Sequence, residues 1–366
     1  MILKVNKKDL VDAVNIVQKA VAAKSPLPIL EGILVEANDQ TLTLRGTDVD
    51  VSMETSFTTE IHEEGKMVVD SRMFGDIIRK LPNNIITLET VENNTVMISA
   101  EKSVFNLLYM DPTEFPVFPT VEDTVSFHLP QNVLKNMVRK VLSSVATDDI
   151  RPILMGMLFE TSQGKLNLVG LDGYRMAMVT ELIDTNQELR RVISGKTLRD
   201  LLGVLSDTDE ELEIFFTENH VLFEIGKTRI ISRLLQGEYL KYQNMIPDYS
   251  KLTVAIDKTE FRDATERASV LANEGTSNLI KFSFADNNIV ITSNSKLGKL
   301  REEVYGEMNG EPLEIAFNAK YVIDILKTMD DEKILMEMTS TISPCIIRPE
   351  DNDKSLYLVL PIRISK

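Results

Sequence analysis

The hydrophobic and polar positions of this chain change period in a fixed order. Leu10, Val14, Val17 and Val21 recur at helical spacing. Then "ILVEA" at 33–37, "TLTLRG" at 41–46 and "VSMETSF" at 51–57 alternate or run apolar, as strands do. Phe74, Ile77, Ile78 and Leu81 follow at i, i+3, i+4 and i+7, which predicts a second amphipathic helix. Three more strand patterns come next, "IITLET" at 85–90, "TVMISA" at 95–100 and "VFNLLYM" at 104–110. Helix, strands, helix, strands is an α+β pattern, a sheet with two helices on one side.

That order is written more than once. "PILEGILVEA" at 28–37 returns as "PILMGMLFET" at 152–161, and "SRMFGDIIRKL" at 71–81 as "GKTLRDLLGVL" at 195–205, both 152 − 28 = 124 residues on. The same offset lays Leu42, Leu44, Gly46 and Asp48 on Leu166, Leu168, Gly170 and Asp172. A fainter third copy has "LIKFSFADNNIVITSN" at 279–294 and the helix pattern "AKYVIDILKTM" at 319–329. Repetition at one period signals one fold used several times. Three domains are expected, 1–124, 125–248 and 249–366, each of ordinary domain size. The joints are "DPTEFPVFPTVEDT" at 111–124 and "EYLKYQNMIPDYSK" at 238–251, where proline favours extended chain.

Composition changes this picture little. The 366 residues are 43% hydrophobic and 26% charged, ordinary for globular domains. No run of 18 apolar residues suggests a membrane span, and "MILKVNKKDL" lacks a signal-peptide core, so a cytoplasmic location is expected. The single cysteine, Cys345, excludes an intramolecular disulfide and reads as a buried thiol.

Charge changes it more. The net charge is −16, which by itself argues against a nucleic-acid partner. Yet the six helix patterns at 7–21, 71–81, 132–145, 196–205, 259–271 and 319–329 sum to +7, leaving −23 for the rest of the chain. If those helices share a surface, it is a positive stripe on a negative body, able to hold phosphates without reading bases. A solvated helix face explains the same count.

Enzyme signatures are missing. Gly195-Lys196-Thr197 ends like a phosphate-binding loop, but residue 190, where that motif needs glycine, is Arg190. His62, His128 and His220 are scattered, with no zinc-ligand spacing. No GxSxG or GxGxxG occurs. Asp48 and Asp172 sit at equivalent turns, where aspartate bonds its own backbone. No cofactor, metal or catalytic residue is expected.

The tandem copies, with "LPILEGILVEA", "LTLRGTDVDV", "GMLFET", "LDGYRMAM", "FNAKYVIDIL" and the terminal "YLVLPIRI", resemble the beta subunit of bacterial DNA polymerase III, the sliding clamp, over the whole chain. The resemblance implies three clamp domains per chain, each of two helices on antiparallel sheets, and a head-to-tail homodimeric ring. Such a ring encircles double-stranded DNA without sequence preference and is non-catalytic. It tethers the replicative polymerase, the clamp loader and other clamp-binding-motif proteins. Twelve helices at ~10 Å spacing would leave a hole of ~25–30 Å, enough for a duplex. A peptide-binding scaffold that never meets DNA is the alternative. Salt-dependent DNA binding separates the two.

By the same resemblance, the partner-peptide pocket comprises Leu154, Leu171, Gly173, Tyr174, Arg175, Met176, Met245, Tyr321, Ile342, Leu358, Leu360, Pro361, Ile362 and Arg363. Leu240 and Asn244 stand where the family often has Pro and Arg, and Ser365 and Lys366 run past the usual end. DNA contacts are expected at Lys24, Arg72, Arg151 and Lys196. Pro152 and Ile153 replace aromatics that the family often carries. The dimer seam is expected to use Lys102, Phe105 and Leu107 on one side and Val270, Leu271, Glu302 and Glu303 on the other, with Lys102 facing the acids.

Overall fold

The computed structural model describes residues 1–82, 84–121, 125–148, 150–185, 187–273 and 278–363. Its α-helices are α1 (Lys7–Val17), α2 (Ser71–Lys80), α3 (Gln131–Leu142), α4 (Gly195–Leu202), α5 (Lys258–Ala272) and α6 (Ala319–Thr328). Each follows a strand with no intervening loop. At four of these joints an Asn or Asp ends the strand and caps the helix. The side chains of Asn6, Asp70, Asp257 and Asn318 accept backbone N–H bonds from the first turns of α1, α2, α5 and α6.

The chain divides into two compact units, residues 1–133 with 196–234, and residues 134–195 with 235–366. This division cuts the middle copy of the repeat rather than following the sequence joints. In the first unit the strands pair antiparallel in one run: 125–130, 211–216, 220–225, 228–235, 51–58, 41–47, 32–38, 65–70, 103–110, 95–100, 85–91, 2–6 and 60–63. In the second the run is 189–194, 156–162, 165–171, 175–182, 355–359, 345–349, 333–338, 252–257, 298–310, 288–295, 279–285 and 313–318.

Two pairings in these runs join one copy of the repeat to the next, and they are the same pairing. Strand Val51–Thr58 meets Thr228–Leu235 with Val51 opposite Ser232 and Met53 opposite Ile230. Strand Arg175–Leu182 meets Ser355–Val359 with Arg175 opposite Val359 and Ala177 opposite Tyr357. The first strand shifts by 175 − 51 = 124 residues and its partner by 359 − 232 = 127, with register unchanged. Met53, Ile230, Ala177 and Tyr357 are all fully buried.

The repeated glycines have a steric cause. A Cβ on Gly46 would lie 2.4 Å from the carbonyl oxygen of Val17, and one on Gly170 would lie 2.9 Å from Val141 Cγ1. Helix and strand touch there with no room for a side chain. The third copy places Ser293 at this position, buried, its Oγ without a hydrogen-bond partner among the described residues. The repeated aspartates behave as the turn pattern predicts. Asp48 Oδ1 accepts from the Asp50 and Val51 amides at 3.2 and 2.8 Å. Asp172 Oδ1 accepts from Tyr174 and Arg175 at 2.9 and 3.0 Å. Cys345 is buried, which pushes its thiol pKa up.

Candidate functional site

The expected pocket residues separate into a floor and a rim. Leu154, Leu171, Met176 and Leu358 are buried together in one apolar cluster, with Met245 packed against it. Strand pairing puts Met176 directly opposite Leu358. The cluster also contains Tyr239, Tyr242 and Ile346, which sequence reasoning missed. Both tyrosines belong to the joint after the second copy, and each hydroxyl is fixed. Tyr239 donates to the Val169 carbonyl at 3.2 Å, and Tyr242 to Glu160 Oε2 at 2.6 Å. Glu160 in turn pairs with Arg190. A signal existed in the sequence: Phe115 and Phe118 stand in the first joint at the same offset, 239 − 115 = 124. Leu240 packs against this cluster, and Asn244 is exposed.

The rim is open to solvent. Tyr174 is 61% exposed and Leu360 38%. The Leu360 amide donates to the Tyr174 carbonyl at 2.9 Å, so the two side chains begin from adjacent backbone. Gly173 holds φ +91°, and a Cβ built there would meet nothing within 4 Å. The Tyr174 and Tyr321 rings stack with centroids 6.1 Å apart. Ile362 ties the last described segment to strand Leu313–Asn318 through its amide, which donates to Ala316 at 2.7 Å. Pro361 is half-buried and Arg363 exposed beside it. Ile342 is also exposed, on the turn before strand Cys345–Pro349. Ser365 and Lys366 lie outside the described residues.

Arg175 is a structural cation. Its Nε bonds Asp172 Oδ2 at 3.0 Å, its Nη1 bonds Asp324 Oδ2 at 2.7 Å, and its guanidinium carbon sits 4.5 Å from the Tyr321 ring centre. Two of its five N–H donors go to carboxylates, and its plane lies over a ring face. It therefore fixes Tyr321 and the 172–175 turn, and Arg363 remains the exposed cation of the set. Asp324, on α6, was not legible as a member because its partner lies 324 − 175 = 149 residues away.

The helix cations are more tempered than their sequence count. Arg139 and Lys140 of α3 both reach Asp330, at 2.8 and 3.1 Å. Arg79 bonds Asp76, Asn15 and Gln18. Lys327 pairs with Glu266 at 2.9 Å. Lys196 is exposed but paired with Asp48. Lys24, Arg72 and Arg151 are exposed, and their side chains make no hydrogen bond or ion pair among the described residues.

At the expected seam, Phe105 is 41% exposed, while Leu107 packs on the core of the first copy. Lys102 is exposed at the turn before this strand. Val270 is exposed on α5 with Leu271 beside it. The acids already hold partners in their own chain. Glu302 takes a two-pronged bond from Arg267 at 2.7 and 2.9 Å, and Glu303 bonds Arg301 at 2.6 Å and Asn288 at 3.0 Å. Hydrogen bonding from Arg267 holds Glu302 below the usual carboxylate range.

Among the described residues no cluster of His, Cys, Asp or Glu is arranged to hold a metal ion, and no helix is long and apolar enough to cross a membrane. Residues 1–119 match the N-terminal domain of the DNA polymerase III beta subunit, residues 128–241 its central domain and residues 243–363 its C-terminal domain. The chain is 36% identical to the beta sliding clamp of Halalkalibacterium halodurans, across 96% of this chain and 97% of that one. It is 35% identical to that of Staphylococcus aureus, across 94% of each. The crystal structure of the DNA polymerase sliding clamp from Bacillus subtilis superposes with a TM-score of 0.96 over 100% of both chains at 33% identity. Three tandem family domains, matched in order along nearly the whole length, make this chain a member of the DNA polymerase III beta subunit family, the beta sliding clamps.

Proposed function

We propose that this protein is a DNA sliding clamp, a non-catalytic ring that encircles duplex DNA and tethers the replicative polymerase. The observation that carries this reading is the repeated strand junction. Copy one joins copy two, and copy two joins copy three, by one pairing in one register. The two strands that would make the next such junction are open over part of their length: Ser103–Met110 has a second neighbour only at Tyr109 and Met110, and Gly298–Gly310 only from Gly306 onward, among the described residues. Ser103–Met110 corresponds to Thr228–Leu235 at an offset of 228 − 103 = 125, as their hairpins show. Gly298–Gly310 begins the equivalent of Arg175–Leu182 at an offset of 298 − 175 = 123.

Applied between two chains, the shared register puts Leu107 of one opposite Gly298 of the other, Asn106 opposite Lys299 and Phe105 opposite Leu300. Phe105 and Leu300 then take the places of Ile230 and Met53, which are fully buried. Two chains paired head to tail in this way close a ring of six copies, divided by the repeat at 124 and 248, and leave no free edge there. The partner groove is built on the apolar floor of Leu154, Leu171, Met176 and Leu358 under the rim of Tyr174, Tyr321 and Leu360. It suits a short peptide with apolar anchors, as in the polymerase, the clamp loader and other clamp-binding-motif proteins. Lys24, Arg72, Arg151 and Lys196 face the phosphates, with the protein working in the cytoplasm on replicating DNA.

A topological assay tests the reading. Protein loaded onto a nicked circle should remain through gel filtration at moderate salt and leave once the circle is cut. Retention on linear DNA, or release from the intact circle at the same rate, refutes encirclement.

A further inference from the structure

The turn at Asp48 and the loop after α1 line an open cavity of about 590 Å³ that the partner groove does not use. It lies at the first turn of the repeat, and the repeat says what it corresponds to. Leu30, Asp48, Val49 and Lys196 fall, at the offset of 124, on Leu154, Asp172, Gly173 and Lys320. Those are a floor residue of the groove, the two residues of its turn, and the neighbour of Tyr321.

The cavity is apolar inside and positive at its rim. Leu30 is buried at the base, while Leu27 and Val49 stand 59% and 52% exposed. Val49 holds φ +80°, a left-handed conformation that a β-branched residue seldom adopts. The Thr47 hydroxyl, accepting the Val49 amide at 3.1 Å, and Asp48, accepting the Val51 amide, fix it there. The backbone thus holds an apolar side chain out toward solvent at the point where the groove has Gly173. Lys19, Lys24 and Lys196 line the cavity against a single acid, Asp48, which Lys196 already pairs. No aromatic side chain lines it, so it offers nothing for a base to stack on.

We propose that this cavity is a second, weaker peptide site, taking a short segment with an apolar anchor followed by acidic residues. The proposal rests on the groove's being a peptide site. Its volume falls in the range of small-ligand pockets. Charge complementarity selects the acid, since the rim carries more cations than carboxylates. Weaker affinity follows from the counterparts of the groove's rim. Where the groove sets Tyr174 beside Leu360, this junction sets Asp50 beside Arg233, an ion pair at 3.6 Å. One apolar anchor is therefore lost.

Calorimetric titration of the dimer with an octapeptide carrying two leucines followed by two aspartates tests this. Wild type should take two equivalents per chain. Leu360→Asp should remove the tighter one and leave the weaker. Leu27→Glu, at an exposed position, should remove the weaker one only, and Lys24→Glu should lower its affinity at least tenfold, with thermal melting showing that each variant folds. A single equivalent in wild type that Leu360→Asp abolishes overturns the second site and keeps the groove. A single equivalent that survives Leu360→Asp and is lost in Leu27→Glu overturns the groove and supports the cavity. Lys24 and Lys196 also face DNA in the proposed ring, so competition between peptide and nucleic acid is expected here; an oligothymidylate that binds the Leu360→Asp protein and is lost in Lys24→Glu, where the peptide does not bind at all, assigns the cavity to nucleic acid and overturns the proposal.

Discussion

Phe105→Ala offers the sharpest test of the repeated junction. The side chain is 41% exposed in the single chain, whereas its junction counterparts Ile230 and Tyr357 are fully buried. An aromatic side chain buries roughly 200 Å², so assembly would cover roughly 80 Å² more of Phe105. At about 25 cal/mol per Å² that is about 2 kcal/mol per seam. Two seams give about 4 kcal/mol, a dimer dissociation constant raised on the order of 10³-fold. Sedimentation equilibrium over a dilution series measures it, with the single-chain melting temperature as a control. Register has its own readout. A protein carrying both Asn106→Cys and Lys299→Cys should form an intermolecular disulfide, because these positions would face each other across the seam. Asn106→Cys with Leu300→Cys, one residue out of step, should not. The native Cys345 is buried and does not interfere. An unchanged dissociation constant for Phe105→Ala, or equal crosslinking by both cysteine pairs, would falsify the shared-junction argument.

Changing Arg72 and Lys196 to Glu should leave the dimer intact and impair loading onto circular DNA, as nitrocellulose capture of loaded circles would show. Tyr174→Ala with Leu360→Ala should weaken binding of a short peptide with Gln and apolar residues by ~1–3 kcal/mol in total, and removing residues 360–366 should abolish it in calorimetry while the dimer persists. Met176→Ala acts differently: Met176 is fully buried, so it should cost about 2–5 kcal/mol of fold stability in denaturant titration before it says anything about peptide. Asp200 supplies a pH prediction. Burial raises its carboxyl pKa, only partly offset by Lys196 and Lys19, and its Oδ2 has no partner among the described residues. A raised folded-state pKa stabilises the native state below the ordinary carboxylate range, and that contribution is lost as pH climbs through the raised value. Asp200→Asn should therefore melt higher than wild type at pH 7, with the difference closing toward pH ~4; a pH-independent difference counts against the burial argument.

The helices were legible because each buries an apolar stripe at regular spacing. All six appear where the pattern put them, but their ends moved. The pattern at 7–21 becomes α1 to Val17 followed by a tighter turn at Gln18–Ala20, and that at 132–145 stops at Leu142. Helix ends depend on capping and on the path of the next segment, which periodicity does not carry. The joints were legible as proline-bearing breaks, but their anchoring was not. Phe115, Tyr239 and Tyr242 are buried, although these proline-bearing stretches read only as extended chain between elements. In the groove, the distinction between Met176 as floor and Tyr174 as rim depends on which strand face meets Ser355–Val359. Alternation fixes two faces but does not say which of them a distant segment will cover. Arg175 was legible as a member of the pocket set, but its pairing with Asp324 was not, since Asp324 reaches it only through the folded sheet.

The joints at 111–124 and 238–251 would have a mechanical consequence for the proposed two-chain ring. Four of the six junctions in a closed dimer lie within a chain, where a short covalent tether holds the separated strands at an effective concentration of roughly millimolar. Such a junction recloses faster than it can be exploited. The two seams between chains in that ring would have no tether and would reclose only as fast as a second chain is available. Any force or partner that pries at the particle will therefore find the same weak gate, and strengthening it by fusing two chains end to end would leave one gate in place of two.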